Sequence, residues 1–155
     1  QLQDHSLYRE YEAVCVGTLK EASGTVDAPI ARHPADRKRM CVDPKGGRAA
    51  VTHWSVLGRY PGHTHIQCRL ETGRTHQIRV HFASIGHPLA GDDLYGGSRA
   101  RIGRQALHCA RQTFQVPRCE TLEDGICIEA PVDESTLRTV TVESPLPADM
   151  AQFFR

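Results

Sequence analysis

The sequence predicts a strand-rich chain with few helices, and three observations carry that reading. Residues alternate in β-rich runs at 10–16, 49–57 and 66–70. One stretch, 75–86, instead spaces its apolar residues as a helix does. Clusters of Gly, Pro and Asp separate these runs and mark the turns.

Residues 1–9 are polar and carry no cap, so the chain is expected to begin inside or at the end of an element. In the first run Tyr11, Ala13 and Cys15 alternate with Glu12, Val14 and Val16, and Gly17 closes the strand. Residues 31–48 hold Arg32, Arg37, Lys38, Arg39, Lys45 and Arg48 against only Asp36 and Asp43. With Pro34, Pro44 and Gly46-Gly47 as punctuation, this segment reads as a loop or hairpin that reaches outward. Most charge runs are solvated faces, but this one is also suited to phosphate contact. After the 49–57 strand and a turn at Tyr60-Pro61-Gly62, Ile66, Cys68 and Leu70 form one face of a half-buried strand.

Within the helical stretch Ile78, Phe82 and Ile85 recur at helical spacing, Thr75 suits the N-cap, and Gly86 with Pro88 suits the stop. Arg74, His76, Gln77, Arg79 and His81 crowd into eight residues, more polar donors than solubility requires, which points to an anionic partner. Arg79 lies about 100° around the helix from Ile78, at the edge of the apolar stripe, where an arginine needs a buried partner. Residues 98–104 form a basic connector, and a further strand follows with Ala106, His108, Ala110 and Phe114 expected on one face and His108 as a structural residue. Residues 126–131 interrupt the pattern before Val140 and Val142 resume it, and a terminal helix is expected through Phe154.

The chain of 155 residues fits one domain with a real core, and its net charge of +1 requires any basic footprint to be local. Six dispersed cysteines without a CxxC pair fit free thiols in a reducing cytoplasm, and no run is apolar enough to span a bilayer. A metal hydrolase built on His63-x-His65 with His76 and His81 lacks the usual i, i+4 spacing and a completing ligand. A cysteine hydrolase is weaker, since no Cys carries a local signature.

The string at 73–81, GRTHQIRVH, followed by Gly86-His87-Pro88 and by Gly91-Asp92-x-x-Tyr95-Gly96, resembles the C-terminal signature of the RluA-type pseudouridine synthases. Arg9-x-Tyr11-x-Ala13 with Gly17, the G-x-V-D-x-P-I run at 24–30, Arg104-Gln105-Ala106-Leu107-His108 and the Pro-Leu-Pro-x-Asp-Met ending at 145–150 resemble the RluD branch. Gly47, Ala50, Thr52 and Trp54 fall on a further motif, with Arg48 where lysine is usual. The resemblance implies an α+β fold, a mixed, largely antiparallel sheet with flanking helices, incomplete in this chain. It implies that residues 1–155 are the C-terminal portion of a catalytic domain. The H-R-L-D motif that bears the family's nucleophilic aspartate does not occur in the sequence, so that half and any N-terminal RNA-binding domain are expected to be absent.

The activity implied is isomerisation of uridine to pseudouridine in RNA, with large-subunit rRNA as the expected substrate and no metal, redox or other cofactor. A cytoplasmic monomer without membrane attachment is expected. Tyr11 would lie against a flipped uracil, and Arg79 would hold the nucleophilic aspartate ionised and oriented. Arg32, Arg37, Lys38, Arg39, Arg74, Thr75, His76 and Gln77 would contact RNA. Without the aspartate, the chain alone is expected to be inactive and Arg79 unpaired. The chief alternative is an RNA-binding module in which nothing reacts.

Overall fold

The computed structural model describes residues 8–117, 119–121, 127–129 and 137–154, of which 117, 119–121 and 127–129 are described by backbone alone. The polar start of the chain over 1–7 and, within the interposed 126–131 segment, residues 126, 130 and 131 lie outside the described residues. Ten strands are described: β1 (Tyr8–Val16), β2 (Ser23–Asp27), β3 (Ile30–Arg32), β4 (Met40–Val42), β5 (Val51–Tyr60), β6 (His63–Leu70), β7 (Leu107–Pro117), β8 (Cys119–Thr121), β9 (Cys127–Glu129) and β10 (Leu137–Glu143). Two short helices, α1 (Gln77–Ser84) and α2 (Ala148–Ala151), accompany them. Six strands form one sheet in the order β10-β7-β1-β6-β5-β2, and its pairings are antiparallel. This is the α+β architecture expected.

Alternation in β1 divides the core into two layers. Ala13 and Cys15 point to the face shared with Ile66, Cys68, Trp54 and, from α1, Ile78 and Phe82. Val14 points the other way, toward Ala90, Ile102, Ala106, Met150 and Phe153. Ile66 and Phe82 are wholly buried, and each such side chain contributes about 1.5–3 kcal/mol relative to exposure.

The β3–β4 hairpin is the outward-reaching basic segment, but its base is anchored. Met40 and Val42 pack with Ile30, Ala50, Val80, Ala83 and Tyr95, so α1 is covered on a second side by the hairpin. Helix α1 therefore buries Val80 and His81 as well as Ile78 and Phe82, while Ile85, expected to extend the apolar stripe, sits beyond the last turn and is exposed.

Two further local expectations are corrected. The N-cap of α1 is His76, in the left-handed region at φ 56°, ψ 21°, and Thr75 does not cap it. A register shift between Glu10 and Tyr11 leaves Ala110 unpaired in β7, because Tyr11 faces Cys109 while Glu10 faces Arg111. That bulge reverses the parity of β7, so Phe114 leaves the face of Ala106 and His108. His108 is structural, as expected, with Nε2 3.0 Å from the Ser144 carbonyl.

Candidate active site

The site begins with α1, whose first turn is held to the sheet by Gln77. The Gln77 carbonyl oxygen accepts from Thr72 Oγ1 at 2.8 Å and from the Arg74 amide at 2.9 Å. Its amide nitrogen donates to the Val51 carbonyl at 2.9 Å and to Thr52 Oγ1 at 3.1 Å. Gln77 is thus a bracket joining the 72–74 turn to β5, and its amide has no capacity left for the expected RNA contact. His81 is likewise withdrawn from any ligand. It is wholly buried, with Nε2 donating to the Ala28 carbonyl and Nδ1 accepting from Thr52 Oγ1, both at 2.9 Å. Burial holds its imidazole below the usual value.

One turn of helix on from the cap, Arg79 reaches the 91–97 loop rather than an empty cleft. Its Nε donates to Asp92 Oδ2 at 2.7 Å and its Nη2 to Asp92 Oδ1 at 2.8 Å. The Asp92 side chain is fully buried and that of Arg79 is 13% exposed. The expectation of an unpaired Arg79 is therefore corrected: a buried arginine needs a carboxylate, and the neighbouring loop supplies it. Hydrogen bonding to Asp92 raises the Arg79 pKa further above its usual value. Nη1 makes no hydrogen bond to a described residue.

The loop can deliver Asp92 because glycines let it fold tightly. Gly91 adopts φ 75°, and a Cβ there would lie 2.0 Å from the Arg104 carbonyl oxygen. A Cβ on Gly97 would lie 1.9 Å from that of Leu89. No other residue fits either position without displacing backbone.

Tyr95, from the same loop, covers the pair. The Arg79 guanidinium carbon is 4.9 Å from the Tyr95 ring centroid, a cation–π contact worth about 0.5–2 kcal/mol. The Tyr95 hydroxyl accepts from the Met40 amide at 2.9 Å and meets His76 Nδ1 at 2.9 Å. Loop, hairpin and helix cap thus converge on one phenol.

In front of this assembly lies a cleft of about 310 Å³ lined by Tyr11, Leu70, Arg74, His76, Arg79 and Leu107, among others. Tyr11 and Arg79 share it, although they come from the first described strand and from α1. Arg74 borders it while its Nε donates to the Ala49 carbonyl at 2.9 Å. Thr75 is exposed beside these residues but does not line the cleft.

The basic hairpin divides into two kinds of cation. Arg37 and Lys38 are exposed, and Arg32 is exposed with Nη1 on the Arg37 carbonyl at 2.8 Å. Arg39 instead turns inward over Tyr95, 5.7 Å from its centroid, and its buried Nε has no partner among the described residues. Two guanidinium groups thus approach one ring.

Among the described residues the rival sites do not assemble. His63 packs on Phe153 with centroids 4.9 Å apart, and His65 bonds Glu12 Oε2 at 2.8 Å and stacks on Phe154. Among the described residues, no group of three His, Cys, Asp or Glu side chains is placed to hold a metal. Cys15, Cys41, Cys68 and Cys109 are free thiols. Burial pushes Cys15 up to about 11 and Cys68 higher still, the reverse of an activated nucleophile.

The family model described as RNA pseudouridylate synthase matches residues 1–84, more than half of the chain. The chain belongs to this family. It is 44% identical over 150 residues to the ribosomal large subunit pseudouridine synthase D of Pseudomonas aeruginosa, covering 96% of this chain and 45% of that protein. The Escherichia coli K12 protein of the same name is 55% identical over 121 residues, covering 69% of this chain and 36% of its own length. The chain spans less than half the length of these curated relatives.

Among solved structures, human RNA pseudouridylate synthase domain containing 1 superposes with a TM-score of 0.65 at 26% identity, covering 93% of this chain and 64% of that one. Human RNA pseudouridylate synthase domain containing 4, at 17% identity and a TM-score of 0.67, shares the fold. Asp92 and Tyr95 are the site residues of this family member whose part the sequence did not reveal. Both stand in its G-D-x-x-Y-G string, and an acid in a tight turn soon after a boundary arginine was the available signal.

Proposed function

We propose that this chain is the C-terminal portion of the catalytic domain of a pseudouridine synthase that isomerises uridine in large-subunit rRNA. The observation that carries the reading is the single cleft lined by Tyr11 and Arg79, with Arg79 clamped and Nη1 left without a described partner. The nucleophilic aspartate lies outside these 155 residues, since no H-R-L-D string is present. Asp92 does not replace it, because both of its oxygens are engaged by Arg79 and its side chain is fully buried.

In this mechanism a flipped uridine enters the cleft and its base lies against Tyr11. The incoming carboxylate approaches Arg79 at Nη1, which keeps it ionised and aims it at the reacting nucleotide. Arg79 need not search for that position, because Asp92 and Tyr95 already fix its other edge and its face. Detachment, rotation and reattachment of the uracil leave the atom count unchanged, so the reaction requires no redox partner.

RNA is held by Arg74 and by the hairpin cations Arg32, Arg37, Lys38 and Arg39, with Thr75 beside them. The protein acts as a cytoplasmic monomer without a metal. Support for the substrate class comes from the names of the large-subunit relatives and from the exposed Arg37 and Lys38 on the hairpin. Deleting the gene and mapping pseudouridine in rRNA tests the proposal. At least one large-subunit position should revert to uridine, and an unchanged map would contradict it.

A further inference from the structure

His76 is the only non-glycine residue with positive φ among the described residues, at 56°. A histidine in the left-handed region is uncommon, and such strain collects where a side chain must be aimed. Here it places the imidazole at the mouth of α1, on the wall of the cleft.

The hydrogen bonds around Tyr95 assign the proton on that ring. A backbone amide only donates, so the Tyr95 oxygen accepts from Met40 N at 2.9 Å. The phenol still has its own proton to give, and its other contact is His76 Nδ1 at 2.9 Å. The arrangement that satisfies all three groups has the Tyr95 O–H donating to Nδ1, which puts the ring hydrogen of a neutral imidazole on Nε2. Nε2 has no partner among the described residues.

The surroundings favour that neutral ring. Arg79 and Arg39 lie on the same phenol, 4.9 and 5.7 Å from its centroid, while Asp92, the carboxylate that acts on His76, is already taken by Arg79. Burial first, and then the Arg79 charge, hold His76 below the usual imidazole value. A neutral N–H donor is a poor counterion for phosphate and a good partner for an uncharged oxygen. Arg74, on the same cleft, supplies the charged donor instead.

We propose that His76 is a base-contacting residue, whose Nε2–H, fixed by the Tyr95 hydroxyl, donates a hydrogen bond to a carbonyl oxygen of the pyrimidine in the cleft. The pyrimidine is the occupant assigned by the proposed function, and on that point the inference rests on it. The assignment of the proton does not.

The test is two-bond proton–nitrogen NMR of the full chain, titrated with uridine 5′-monophosphate and, separately, with inorganic phosphate. The free chain should show the Nε2–H form of His76, and Tyr95→Phe should release it to a mixture. Uridine monophosphate at millimolar concentration should move the His76 signals while phosphate leaves them in place. His76→Gln, which keeps a donor within reach, should retain nucleotide affinity within about threefold, and His76→Leu should lose about tenfold. An Nδ1–H form in the free chain, no response to the nucleotide, an equal response to phosphate, or unchanged affinity in His76→Leu overturns the proposal. The expected form and nucleotide response, together with an unchanged rRNA map after gene deletion, would sink the activity and leave the contact standing.

Discussion

Arg79 and Asp92 form a two-point ion pair across thirteen residues, Nε to Oδ2 at 2.7 Å and Nη2 to Oδ1 at 2.8 Å, with the carboxylate fully buried. A pair of this kind fixes the guanidinium in plane as well as in position. Removing one member of a buried pair costs about 3–5 kcal/mol, because the other is left charged and unpaired. Asp92→Ala and Arg79→Ala should each show a loss of that order in urea unfolding. The double variant should be less destabilised than the sum by more than about 1 kcal/mol. Additive losses would mean that the pair is not coupled.

The histidines set the acid limb of stability. Burial lowers the folded pKa of His65, His76 and His81 from the ordinary value of 6.5. On acidification the unfolded chain therefore binds protons first, and folding stability falls as pH drops from about 6.5 through the lower folded values. Above that window these groups contribute no slope. Urea midpoints at neutral and mildly acidic pH should decline in this order, and His65→Gln with His81→Gln should flatten the decline. A midpoint that rises on acidification would contradict the assignment.

The hairpin should bind RNA through charge rather than sequence. Replacing Arg37 and Lys38, which are exposed, should lower affinity and reduce the slope of log K against log salt by roughly 0.7–0.9 for each phosphate no longer neutralised. Arg39→Ala acts differently, since that side chain also packs over Tyr95 and should cost stability as well as affinity. A salt slope unchanged in Arg37→Ala with Lys38→Ala would remove the hairpin from the interface.

Much of the fold was legible because its signals are local. Alternation marked β1, β5 and β6 to within a few residues, and helical spacing marked α1. The position of Ile85 was not legible, because a helix covered on two sides loses its single apolar stripe. Thr75 matched a cap by type, but the chain enters α1 through a left-handed His76, whose ring meets Tyr95 from another loop. At the site, Tyr11 and Arg79 were named from motifs, and the cleft joins them. The tie between Arg79 and Asp92 was hidden, since spacing along a chain does not say how a glycine-rich loop folds back. Gln77 matched the same motif, yet four short hydrogen bonds turn its amide inward.

The central claim is that this cleft serves uridine isomerisation with an aspartate brought from outside these residues. The direct measurement is tritium release from rRNA labelled at uridine C5, comparing this chain with the protein extended upstream through the H-R-L-D motif. The extended protein should release tritium, and changing its motif aspartate to asparagine or Arg79 to methionine should lower the rate by at least about a hundredfold. The 155-residue chain should release none. Turnover by the short chain, or an extended protein that works as well without its aspartate, would contradict the account.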